Sequence, residues 1–526
     1  MAADRKRTSD WLAAFSLANL AFLRCWAELL DLSVPQTYWL KTLPTPLDYT
    51  TLLLDVLLLG AAQFWLIRSL RRGSKLATRI MVGSGSMLLV SLVNSLRTLI
   101  GNPGTSMFLR FVDQRAAALG IVVAIVLVAA LVFGGTRVLR PIYILLILLS
   151  PLALITAAQS VQKIVTFNGA AATRDGPLAA RRAPKLSGCP RVIWVIFDEW
   201  DADLSFADRP AGISLPEIDR LRSESLSVNH VAPPNLFTDW SMPALTTGIQ
   251  VLDIHPNGPS DLMIRPVGAG GYVPWSRQDN VFRDARKLGF NTGVVAWAIP
   301  YCRVLKDDLS DCWWWAGSNQ LNSLGNTAPE MLLNRPRSLF ENIYRSPFGQ
   351  SLSTIRHASM TAEVVARALQ VARDRAVGFA LLHLPVPHPP YFYNAATGIN
   401  DRAAAPITGI FEQNQQGYID ALALTDRTLG KIRRAMEQAG VWDTTSVLVS
   451  SDHPYRHRPA LDGKPRSKHV PYLLKMSGAM QPGNYDREIS ALITRKLILA
   501  MLSGEISCTS QVPAWLDAHR AEYPLD

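Results

Sequence analysis

The chain has 526 residues, enough for three or four domains, with 48% hydrophobic and 18% charged residues. Soluble domains average roughly 25% charged, so this depletion excludes a disordered chain. The net charge of +11 suggests nucleic acid until it is located: residues 1–159 hold 15 Lys+Arg against 7 Asp+Glu, the remainder 38 against 35.

The excess therefore sits in the apolar third, where basic residues set membrane topology. No basic stripe or binding motif supports a nucleic-acid partner. Apolar runs at about 11–30, 48–67, 80–100, 116–135 and 141–159 each approach the ~20 residues that cross a bilayer. They predict a transmembrane anchor domain over 1–160 with about five spans. The loop after the second run carries Arg68, Arg71, Arg72, Lys75 and Arg79 and no acid; the loop after the fourth carries Arg137 and Arg140. Both belong in the cytoplasm by the positive-inside rule, which sends the rest of the chain to the other side. The expected location is a bacterial inner membrane, with the C-terminal part periplasmic. Asp55 lies inside the second run, near its outer end, and is expected to snorkel.

Residues 161–188 read as a linker rich in Ala, Arg, Gly and Pro, and 189–526 as the outer domain. RVIWVIFDEW from Arg191 is an apolar run of strand length ending in acids. Runs without alternation suit parallel strands buried on both faces. LPEIDRLRSES, VFRDARKL, MTAEVVARALQVARD and YIDALALTDRTLGKIRRAMEQAG read as helices. GFNTGVVAWA, VGFALLHLP and TSVLVSSDH read as strands between them. The alternation predicts a doubly wound α/β domain. Four cysteines lie beyond the anchor; Cys302–Cys312 is expected as a local clasp and Cys189–Cys508 as a tie between the domain's ends.

Candidate ligands fall at strand ends: Asp198 with Glu199, His383 with His388, and Asp452 with His453. All nine histidines lie in this part, the first being His230. In open α/β sheets ligands gather at the carboxyl ends of strands, and carboxylates with imidazoles there suit zinc or manganese. Asp198 and Glu199 could instead cap a helix, which explains one acid better than two. The hydroxyl-rich segment PPNLFTDWSMPALTTG offers Thr238 or Ser241 as a helix cap or as a nucleophile activated by a metal. The loop HLPVPHPPYFY is stiffened by proline. RSKHVPYLLK places Lys468 and His469 in a cluster that reads equally as anion-binding or as a solvated loop.

Taken in order, RVIWVIFDE, TDWSMPALTTG, PHPPY, VLVSSDH and KHVPYLLK resemble the alkaline phosphatase/sulfatase superfamily. They are most similar to its membrane-anchored phosphoethanolamine transferases and lipoteichoic acid synthases. The resemblance implies an alkaline-phosphatase-like domain holding one or two divalent ions, through Asp198 or Glu199, Thr238, Asp452 and His453. Thr238 would be the nucleophile, His388 and His469 catalytic, and His383, His388, Lys468 and His469 substrate-binding. The implied reaction moves a phosphoethanolamine- or phosphoglycerol-type group from a membrane phospholipid donor to an envelope glycan or lipid acceptor. Two departures matter. Pro454 stands where the family has glycine after Asp-His, and no Cys-x-Pro-x-Arg motif is present. The second counts against sulfate-ester hydrolysis. A phosphodiesterase or sulfatase-like hydrolase is the alternative, and an inactive binding module is a third reading.

Overall fold

The computed structural model describes residues 2–30, 38–39, 44–73, 136–168, 177–183, 190–257, 261–316, 325, 327–341, 352–400, 415–458, 463–478 and 482–525. Two compact units emerge. One comprises Met1–Ser33, Thr42–Ala172 and Gln320–Leu352, the other Val34–Lys41, Thr173–Asn319 and Ser353–Asp526.

The first unit is helical. Helix Ala2–Ala21 packs on helix Pro46–Arg71, with Trp11 stacked on Phe64 at 4.0 Å. Gly60 permits this approach, because a Cβ there would lie 2.7 Å from the Phe15 ring. Segments Pro46–Arg71 and Arg140–Val165 are long and apolar enough to cross a membrane. Leu148, Leu154 and Val165 on the second face outward. The predicted run 11–30 instead forms two helices, Ala2–Ala21 and Leu23–Leu30. The runs 80–100 and 116–135 lie outside the described residues; of the five expected runs, two fall in helices long and apolar enough to cross a membrane. Asp55 does not snorkel. It is buried and accepts from Arg335 Nη1 at 2.9 Å, which also reaches Thr51 Oγ1 at 3.1 Å. Arg335 belongs to helix Ala328–Glu341, a segment the sequence reading had given to the outer domain.

The second unit is a three-layer α/β domain. Its strands are β1 Val192–Phe197, β2 Leu226–Val228, β3 Val231–Ala232, β4 Val251–Asn257, β5 Asp261–Pro266, β6 Val273–Pro274, β7 Thr292–Ala298, β8 Asp311–Ala316, β9 Phe379–Leu384, β10 Ser446–Ser450, β11 Tyr472–Lys475, β12 Gly483–Tyr485 and β13 Ile489–Ser490. Eight form one sheet in the order β12-β2-β11-β10-β1-β9-β7-β8. β10, β1, β9, β7 and β8 run parallel, and β11 is antiparallel to both of its neighbours. β4, β5 and β6 form a small separate sheet.

The continuous apolar strands follow from burial on both faces. One face, carrying Trp194 and Ile196, is covered by helices Thr238–Thr247, Val281–Lys287 and Thr494–Ser503. The other, carrying Val195 and Phe197, is covered by Pro216–Glu224, Leu352–Arg373 and Gln415–Gln438. Cys302 and Cys312 are bonded as expected. Of the expected Cys189–Cys508 tie, Cys508 is a free thiol beside Ser510, 3.2 Å from its hydroxyl, and Cys189 lies outside the described residues. Part of the expected linker lies along this unit, with Ala179 N donating to Lys306 O and Leu309 O.

Arg191 fixes the start of β1. Its buried guanidinium donates to Val377 O, Thr445 Oγ1 and the carbonyls of Val371, Ala372 and Asp374 at 2.8–3.2 Å. Two of those carbonyls close helix Leu352–Arg373, whose C-terminal end favours a cation. Arg191→Met leaves these acceptors without a donor. It should cost about 2–3 kcal/mol of stability, read as a lower denaturant midpoint in tryptophan fluorescence. An unchanged midpoint would remove Arg191 from the framework.

Candidate metal centre

The register of the central strands assembles the site. Ile196 pairs with His383 on one side and Ser450 on the other. With a side-chain period of two, Asp198 and Asp452 stand at the same height on neighbouring strands, one step above His383. These three side chains offer ligand atoms that all lie within 4.8 Å of one another. All three are fully buried, as is His453. His453 Nε2 is 3.6 Å from Asp198 Oδ1 and from Asp452 Oδ2.

Thr238 arrives from the covering layer. It opens helix Thr238–Thr247, which Gly248 ends at φ 68. Its hydroxyl lies 3.3–3.4 Å from the Asp198 carboxylate and 3.4 Å from His453 Nε2. The structure thus brings together Asp198, Thr238, His383, Asp452 and His453.

These residues fit a divalent ion. His383 Nε2 and Asp452 Oδ2 are buried without a hydrogen-bond partner, so two donors await a cation. The second nitrogens of the two histidines, His383 and His453, already have partners. His453 Nδ1–H donates to Pro454 O at 3.0 Å, and His383 Nδ1 lies 3.2 Å from Tyr301 Oη. Histidine ligands commonly hold such an outer partner, which sets the tautomer that leaves Nε2 free. The proline departure is thereby resolved. Pro454 lacks an N–H, but the site uses its carbonyl.

The charges agree. Burial alone would raise the Asp198 carboxyl, but the imidazoles of His388, His383 and His453 hold it well below the ordinary range. Burial disfavours a charged His453, yet the Asp452, Asp198 and Glu199 carboxylates outweigh it and raise its pKa. Asp239, which follows Thr238, is pushed up to about 7 by burial and by the Asp198 and Asp452 charges.

Other expected residues sit elsewhere. Glu199 follows Asp198 directly but turns away, because its backbone adopts φ 67. That left-handed conformation costs a non-glycine residue about 1–3 kcal/mol and is retained mostly at functional sites. The Glu199 carboxylate accepts from Arg456 N and Nε at 3.1 Å and from Nη2 at 3.4 Å. His388 Nδ1–H donates to Pro389 O at 2.6 Å, and its Nε2 accepts from Arg456 Nη2 at 3.2 Å. His469 is 3.1 Å from Glu488 and packs edge-on to His230, in a surface cavity of about 280 Å³ lined also by Arg222 and Asp203. Lys468 is exposed. Neither touches the five-residue cluster among the described contacts. Ser241 donates to Asn235 O, a structural role.

Arg456, Asp239, Tyr301 and His357 were missed. His357 Nε2–H donates to Pro385 O at 3.2 Å, and burial lowers its pKa to about 3, so a neutral ring holds the His388 loop. Only Arg456 carried a usable signal, as a cation three residues after His453.

The sulfatase family model matches residues 190–517. The phosphonate monoester hydrolase of Agrobacterium radiobacter is 16% identical, covering 60% of this chain and 74% of its own, with a TM-score of 0.40. The phosphonate monoester hydrolase SpPMH from Silicibacter pomeroyi is 14% identical, covering 60% and 73%, at 0.42. An alkaline phosphatase superfamily protein from Vibrio parahaemolyticus is 13% identical, covering 62% and 69%, at 0.35. No curated protein matches the chain.

Removing one carboxylate tests the cluster. Asp452→Asn should weaken retention of divalent metal by at least about tenfold, measured by elemental mass spectrometry after dialysis. Metal binding should also weaken as pH falls, since protons compete for His453, whose pKa is raised above the usual imidazole value. Full metal retention in Asp452→Asn would contradict the assignment.

Proposed function

Because the chain belongs to the sulfatase family, and so to the enzymes of the alkaline phosphatase superfamily, we propose that it transfers a phospho-group through Thr238. The donor is a membrane phospholipid carrying a phosphoethanolamine- or phosphoglycerol-type headgroup, and the acceptor is an envelope glycan or lipid. The observation carrying this reading is a threonine hydroxyl within 3.4 Å of both Asp198 and His453, beside donors that await a cation.

Asp198, His383, Asp452 and His453 would hold the ion, zinc or manganese, with Thr238 at its edge. When bound, a divalent metal lowers the pKa of a nearby hydroxyl and stabilises negative charge on phosphoryl oxygens. Asp198 accepts the Thr238 hydrogen bond and aims the hydroxyl, and the proton that Thr238 gives up is balanced by the one the leaving oxygen takes up. Thr238 Oγ then forms a bond to phosphorus while the bond to the leaving oxygen breaks, and that oxygen takes up a proton. In the second half the acceptor hydroxyl attacks the phospho-threonine. The Thr238 Oγ–P bond breaks, and the threonine hydroxyl regains a proton. The buried hydrogen bonds around Asp198, His383 and His453 hold this geometry before substrate arrives, which is most of what phosphoryl transfer demands.

The two apolar helices support a membrane-tethered enzyme, with the outer domain held near lipid at high effective concentration. The family match favours a second reading, in which water is the acceptor and the enzyme is a sulfatase-like hydrolase or phosphodiesterase. Residues 233–248 contain no cysteine, which weighs against the sulfate-ester version.

Incubation of the full chain in detergent with phospholipid, followed by intact mass, should reveal an adduct of the donated group. Thr238→Ala should abolish the adduct and lower turnover by at least about a thousandfold. Rapid lipid cleavage by wild type without an acceptor would favour the hydrolase. Undiminished activity in Thr238→Ala would overturn both readings.

A further inference from the structure

Glu199 and Arg456 are the largest charged groups near the centre that the proposed reaction leaves unused. Arg456 is held from two sides. Glu199 takes its Nε and Nη2, and His388 Nε2 takes Nη2 again. The guanidinium lies over the Phe237 ring, 5.6 Å from its centroid, and Phe237 immediately precedes Thr238. Among the described residues nothing bonds Nη1, and the side chain remains 23% exposed. A guanidinium fixed on two sides therefore keeps one edge without a protein partner among the described residues, stacked on the residue that precedes Thr238.

The donor count points the same way. Among the described residues one group of side chains could hold a metal, Asp198, His383 and Asp452. Glu199 is not part of it, since its carboxylate is occupied by the arginine. A transferred phosphoryl group spreads charge over its equatorial oxygens and needs cationic contact on more than one side. An ion at the strand ends covers one side. The fork of an arginine, with its directional N–H groups, suits another.

We infer that Glu199 and His388 position Arg456 as an anion clamp beside a single-metal centre, with its free Nη1 edge receiving an oxygen of the phosphoryl group bound at Thr238. The inference rests on the Thr238 reading. Glu199 is then a positioning residue rather than a metal ligand. His388 holds the other side of the guanidinium, its Nε2 3.2 Å from Arg456 Nη2.

The test is titration calorimetry of the full chain in detergent with inorganic phosphate, paired with metal content by elemental mass spectrometry. Wild type should carry one metal per chain and bind phosphate. Arg456→Gln and Glu199→Gln should keep that metal and bind phosphate about tenfold to a hundredfold more weakly. Arg456→Lys, which keeps the charge but loses the fork, should fall between and guards against a misfolded variant. Two metals per chain, metal loss in Glu199→Gln, or wild-type phosphate affinity in Arg456→Gln would each overturn the clamp. If metal and the Thr238 adduct persist in such a case, the clamp alone fails. A wild-type chain with neither metal nor adduct overturns the functional reading and the clamp with it.

Discussion

Two carboxylates, Asp198 and Asp452, are buried side by side at the ends of adjacent parallel strands. Strand spacing of roughly 4.8 Å keeps them close, and neither reaches water. Such a pair is stable only with positive charge between or around it. The rest of the α/β unit answers that constraint. Apolar strands bring the acids to one height, His383 and His453 supply imidazoles, and helix Thr238–Thr247 delivers a hydroxyl to the same point. Arg456 adds a cation on the Glu199 side. The cluster is costly as a fold element and intelligible as a binding site for a cation and an oxyanion.

The α/β character was readable because parallel strands buried on both faces leave an unmistakable trace. RVIWVIFDE, FALLHL and SVLVS each became a central strand. Thr238, Asp452 and His453 were readable because they abut those strands or a helix start. The division of labour between Asp198 and Glu199 was not. It depends on a single left-handed residue, and no pattern of polarity encodes a positive φ at a glutamate. His383 was expected to meet substrate, yet it stands within β9 in register with Ile196, which a strand pairing decides and a sequence cannot. His469 looked like a site residue because of its basic neighbours, but the turn into β11 carries it to Glu488 and His230. The proline after Asp-His is a departure from the family pattern. In space it contributes a carbonyl to His453.

The helical unit shows the same limit at longer range. Asp55 had no partner within its own run, so snorkelling was the natural expectation. Its partner, Arg335, lies 280 residues away in helix Ala328–Glu341. A buried ion pair of this kind is poor evidence for stability, but it joins two segments that the sequence separates. Family membership and chemistry also separate here. The α/β unit is a sulfatase domain, while the hydroxyl beside its cation-ready cluster belongs to threonine.

The most direct measurement is anomalous diffraction from crystals of the full chain grown with zinc or manganese. A single peak about 2.0–2.3 Å from oxygens of Asp198 and Asp452 and from imidazole nitrogens of His383 or His453, with Thr238 at its edge, is the expected result. A peak ligated by Glu199, a peak at His230 and His469, or none at the strand ends would contradict the placement of the centre.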